Sequence, residues 1–193
     1  MQEGRNGITA NTPKRILFGA GTIHKGLKYT TNAWNFKESL VGATNGGSKL
    51  SIVPELLDVP LDGANVAVKG LKVKTGETAK MEVNFAELTE ELIKAATLGK
   101  DGTSSDTTYN LIESKDDIAV GDYWDNVAFV GKTLEGKNII AILENALITS
   151  GLETEGKNKE GAVGTYTFTC HAADDADSFN KLPWKIYYPK ATV

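Results

Sequence analysis

Apolar and polar residues alternate at every second position over much of this chain, and the breaks in the alternation mark its turns. Met81, Val83 and Phe85 alternate with Lys80, Glu82 and Asn84, the pattern of a half-buried strand. Tyr166, Phe168 and Cys170 alternate with threonines in the same way. Ile16 to Ile23 forms a short apolar strand with a glycine break. Lys49 to Val59 is extended, and Pro54 inside it predicts an edge strand or a bend. Asp62-Gly63 and Thr75-Gly76-Glu77 are turn signals on either side of a strand pattern from Val66 to Lys74, with Gly70 as its bulge. Tyr109 to Glu113 predicts another strand. Trp124 to Lys132 and Asn138 to Ala146 predict a hairpin about residues 134–137. Apolar residues on both sides of its second strand predict cover on both faces.

One helix interrupts the strands. Thr89 can cap the free N–H groups of the first turn, and Glu90 and Glu91 suit its positive end. Leu92, Ile93 and Ala96 share an apolar face, and Gly99 is expected to end the helix in a left-handed conformation. The segment 26–47 has no period of its own. It carries Trp34, Phe36, Leu40 and Thr44 and reads as a long inter-strand loop, folded over its own domain or packed on a neighbour. Residues 1–13 form a polar arm, residues 100–108 and 151–164 form polar loops, and 182–193 form an extended closing strand or arm. The expected fold is mainly β: an antiparallel β-sandwich or small barrel with one flanking α-helix, spanning residues 1–193 as one domain.

Charge narrows the function. The chain carries a net charge of −4 with a pI near 5.3, and no run of lysines or arginines marks a phosphate-binding surface. Its single cysteine, Cys170, excludes an intrachain disulfide. No apolar stretch approaches the roughly 20 residues of a spanning helix, and the first residues lack the apolar core of a secretion signal. The chain therefore reads as one made in a cytoplasm, without a membrane partner.

The chemistry-bearing residues form no constellation. His24 and His171 are far apart, and Cys170 and His171, adjacent on a strand, point to opposite faces, a poor start for a zinc site. Gly42 to Lys49 has neither the spacing nor the strand-then-helix context of a phosphate loop. Asp174, Asp175 and Asp177 lack the glycine and terminal glutamate of a calcium loop and read as a solvated turn. No catalytic, cofactor-binding or metal-binding residue is expected, and the chain is not expected to be an enzyme.

The glycines, turns and single helix do form a larger pattern. Val41 to Leu50 (VGATNGGSKL), Pro54-Glu55, Asp62-Gly63, Lys69-Gly70 and Ala79 to Thr89 (AKMEVNFAELT) resemble the N-terminal half of bacteriophage major tail tube proteins, of long-tailed phages and related prophages. The closing segment from Trp184 to Pro189 is similar to the C-terminal strand or arm of that family. The resemblance implies a self-assembling structural virion protein, with hexameric rings stacked into a tube that conducts DNA into the host. It also implies one continuous inner β-barrel, a long loop reaching the adjacent ring, and termini that order on stacking. Trp34, Phe36, Leu40 and Thr44 then become anchors of the stacking loop, and Lys69, Lys72 and Lys74 are expected away from the channel or in ion pairs between subunits. Implied partners are further copies of the chain, a tape measure protein, a tail terminator and baseplate or distal tail proteins, with DNA passing unbound. The implied location is the virion tail, assembled in the bacterial cytoplasm. The inner tube of a contractile tail, bacteriocin or secretion particle shares these features. A carbohydrate- or host-binding β-sandwich module is the reading from a different class. It calls for clustered Trp and Tyr, whereas Trp34, Trp124 and Trp184 are scattered in sequence.

Overall fold

In the computed structural model, which describes residues 7–156, 158–159 and 161–190, antiparallel pairing organises nearly everything. The strands in chain order are β1 (Leu17–Lys25), β2 (Tyr29–Thr30), β3 (Ala33–Trp34), β4 (Thr44–Asp58) and β5 (Lys72–Phe85). After the helix α1 (Glu90–Thr97) come β6 (Lys100–Gly102), β7 (Leu111–Glu113), β8 (Trp124–Thr133), β9 (Asn138–Ile148), β10 (Gly164–Cys170) and β11 (Trp184–Tyr187). The main sheet runs β1-β8-β9-β10-β5-β4, with β11 also on β9. Among the described residues the fold is mainly β with a single α-helix, as the alternation implies.

Two details turn this sheet into a partly closed barrel. At one end, Leu40 bridges to His24, the Val41 N–H donates to Ile23 O at 3.0 Å, and the Ala86 N–H donates to Ala43 O at 2.9 Å. The segment 40–44 thus joins β1 to β5 and seals the sheet there. Further round, β9 is shared: Ile140–Leu143 pair with β11 and Ala146–Ile148 with β10. Asn145 sits at the handover with φ 48°, a left-handed conformation that asparagine tolerates. Its Nδ2 donates to His171 O at 3.3 Å, and its carbonyl accepts from the His171 N–H at 3.2 Å.

The alternating side chains supply the core. Met81, Val83, Tyr166 and Phe168 are fully buried, and Phe85 nearly so, inside the barrel. Leu92 and Ala96 of α1 plug the same interior. On the other face of β8 and β9, Ala128, Val130, Ile140 and Ile142 form a second cluster with Leu27, covered by Trp34 and Phe36. This is why β9 is apolar on both sides: each face meets a different cluster.

The structure revises several sequence expectations. The Thr89 side chain caps α1, accepting the Leu92 N–H at 3.2 Å, but Leu98 rather than Gly99 takes the left-handed position, at φ 51°. Gly99 is needed for proximity: a Cβ there would lie 2.6 Å from Ile112 Cγ2, where β7 crosses. Thr75-Gly76-Glu77 is no turn. It lies within β5, where the register slips between Glu55↔Gly76 and Leu56↔Lys74 and so makes a bulge. Residues 66–71 form a looped tip in place of a strand, because their apolar residues have no partner strand to pair with. Lys100–Gly102, expected in a polar loop, pairs with β7. Of the amino-terminal arm, residues 1–6 lie outside the described residues and Thr12–Lys14 make a short 3-10 turn. Of the closing arm 182–193, residues 191–193 lie outside the described residues, and β11 is paired strand.

Candidate assembly surface

The β4–β5 hairpin is much longer than the barrel it belongs to. Its ladder runs from Thr44↔Phe85 to Asp58↔Lys72, but β10 flanks it only as far as Thr169↔Lys80. Beyond that point neither strand pairs with a third strand, and a 13-residue tip (59–71) joins them. A two-stranded ribbon is marginally stable alone, and both of its edges offer unpaired N–H and C=O groups.

This arm is also apolar. Leu57 and Val73 are directly paired and stand 55% and 44% exposed. Val53 and Leu56 on the strands, and Leu61, Val66 and Val68 at the tip, are likewise exposed. The tip holds its shape through Val59 N–H to Leu71 O (2.8 Å) and Leu71 N–H to Val68 O (3.1 Å), around a pocket of about 260 Å³ lined by Val59, Pro60, Leu61, Ala64 and Val68. So many large aliphatic groups on one projecting element exceed the scattered exposure usual for a surface.

Two ion pairs lie along the arm. Lys72 Nζ lies 3.0 Å from Asp58 and Lys74 Nζ 2.5 Å from Glu77, so within one chain both lysines already have a carboxylate partner. Glu77 is the anchor at the arm's root. Besides Lys74 it accepts the Leu182 N–H at 2.9 Å, which ties the approach to β11 against β5. The Lys74 hydrogen bond and then the Leu182 N–H hold the Glu77 carboxyl below its ordinary range.

The segment 26–47 is placed differently from the arm. Tyr29–Thr30 and Ala33–Trp34 form a small hairpin turned by Thr31 and Asn32, both with positive φ. Trp34 and Phe36 are partly buried on the β8–β9 cluster, with ring centroids 6.3 Å apart. The segment is latched by His24, whose Nδ1 lies 2.9 Å from Ser39 Oγ and whose Nε2 lies 2.8 Å from Thr22 Oγ1. Ser39 Oγ donates in turn to Asn35 O at 2.8 Å, which leaves the hydroxyl oxygen to accept from a protonated Nδ1. Leu40 is exposed at the closing bridge, and Thr44 opens β4 opposite Phe85. The four proposed stacking residues therefore do not form one patch: two rest on their own domain, and two stand at the barrel seam. The arm carries more exposed apolar surface, and its signal was legible in the sequence. Val53, Leu56, Leu57, Val59, Leu61, Val66 and Val68 crowd one stretch around Pro54 and Asp62-Gly63, too apolar for an ordinary hairpin end.

A cleft of about 840 Å³ lies between α1 and residues 120–125, but its charges are paired: Lys25 with Glu91, and Lys94 with Asp101 at 2.5 Å. Beside it Lys115 pairs with Asp122. Among the described residues no three His, Cys, Asp or Glu side chains converge as a metal site. Burial pushes the Cys170 thiol up to about 12, leaving it protonated and unreactive. No family model matches the chain, and no characterised protein matches it in sequence.

Proposed function

We propose that this chain is a non-enzymatic structural subunit of a bacteriophage tail tube, which self-associates into hexameric rings that stack into a conduit for DNA. One observation carries the self-association: the β4–β5 hairpin leaves its own barrel with both edges unpaired and its aliphatic side chains in water. A second copy supplies what the arm lacks, strand edges to pair with and apolar surface to bury. The resemblance over residues 41–89 supports the tube as the form of assembly. The acidic balance supports passage of DNA without adhesion, since like charge keeps the phosphates off the wall. Negative-stain electron microscopy of the purified protein tests the reading. Rings or tubes are expected; a chain that stays monomeric at high concentration overturns it.

A further inference from the structure

The fold gathers aromatic residues that are dispersed in the sequence. Tyr29 and Trp34 face each other across the β2–β3 hairpin, with ring centroids 5.3 Å apart. Tyr187 of β11, more than 150 positions from either, brings its ring to 5.0 Å from Trp34. The result is a three-ring row on the outer face of the sheet, with Trp34 at its centre and held from below by Phe36. Its ends are open: Tyr29 is 57% exposed and Tyr187 46%. Each tyrosine has an ion-paired lysine near it in the chain: Lys28 precedes Tyr29, and Lys185 lies two positions before Tyr187, on the same face of β11. Lys28 Nζ lies 3.5 Å from Asp125, and Lys185 Nζ 2.5 Å from Glu144, with all four side chains reaching solvent.

We infer that this row is a saccharide-binding platform, a function separate from assembly and independent of the tail tube reading. A pyranose ring has an apolar C–H face and a rim of hydroxyls. The negative face of an aromatic ring attracts the C–H groups, and the paired carboxylates and ammonium groups beside it offer acceptors and donors to the rim. Tyrosine and tryptophan suit such a surface because each has an apolar body and a polar tip. The chemistry differs from that of the arm, whose exposed apolar surface is aliphatic. The rings stand at 57° and 76° to one another, so the platform is corrugated. A flexible soluble oligosaccharide follows such a surface; a flat crystalline polysaccharide does not.

Intrinsic tryptophan fluorescence of the full chain, titrated separately with maltohexaose, cellohexaose and chitohexaose, tests this. A saturable response to at least one, with a Kd in the millimolar range or tighter, is expected. Tyr29→Ala and Tyr187→Ala each lower that affinity about threefold to tenfold. Tyr187→Phe keeps the ring face and stays within about twofold of the parent. Both tyrosines are about half exposed, so the alanine variants stay folded, with a thermal transition lowered by no more than a few degrees. No response to any of the three sugars overturns the proposal, as does unchanged affinity in both alanine variants. Should the alanine variants alter sedimentation while no sugar binds, the row is a protein contact and the proposal is likewise overturned.

Discussion

Placing a carboxylate at the tip-proximal end of the arm separates assembly from folding. Leu57→Asp is the choice, because Leu57 is about half exposed and its direct partner is the equally exposed Val73. Full burial of a leucine side chain is worth roughly 1.5–3 kcal/mol, so covering its remaining half in an interface contributes about 1 kcal/mol. The new carboxylate adds a desolvation cost of about 1–3 kcal/mol if the site is covered by another copy. The sum, about 2–4 kcal/mol per contact, raises the concentration needed for assembly by roughly 30- to 1,000-fold. Within the subunit the loss is one cross-strand pair, about 0.2–1 kcal/mol. Sedimentation velocity and electron microscopy read the first effect, and urea unfolding of the dissociated protein reads the second. Unchanged assembly would sink the argument that the arm is an interface. A subunit that unfolds as readily as it fails to assemble would sink the claim that the arm stands outside its own core.

Four further outcomes follow from the packing. Trp34→Ala uncovers the β8–β9 cluster and is expected to cost about 2–4 kcal/mol in urea unfolding; a change below about 0.5 kcal/mol would show that segment 26–47 is not packed there. The Tyr166 hydroxyl is buried without a hydrogen-bond partner, and burial alone raises its pKa, so Tyr166→Phe should be neutral or stabilise by about 1–2 kcal/mol, measured by thermal and urea unfolding. Because burial pushes the Cys170 thiol up to about 12, it should resist Ellman's reagent at pH 8 in the folded protein and react fully in guanidinium. Burial holds the His24 imidazole below its ordinary 6.5, against a smaller opposing contribution from the Phe36 backbone. The unfolded chain then takes up this proton more readily than the folded one. Stability from His24 is therefore full above pH 6.5 and declines as pH falls from there through the folded-state pKa. His24→Asn should flatten that part of a stability-versus-pH curve; an unchanged slope would refute the assignment.

What the chain determines by itself is local. A period of two in Met81-Val83-Phe85 and Tyr166-Phe168-Cys170 leaves each strand one burial face, and Thr89 with its acidic neighbours marks where a helix starts. Apolar residues on both sides of Ile139 to Leu143 announce two clusters before either is seen. Contacts distant in sequence decided the rest. Whether Thr75-Gly76-Glu77 turns or bulges depends on the register of β4 across from it, and Gly99 owes its place to Ile112, thirteen positions on. Trp34 meets Tyr187 only because β11 docks on β9 beside it. The arm sits between these cases. Its excess of aliphatic residues is written in the sequence, but their exposure arises from where β10 ends: a side chain is buried only where another element arrives to cover it.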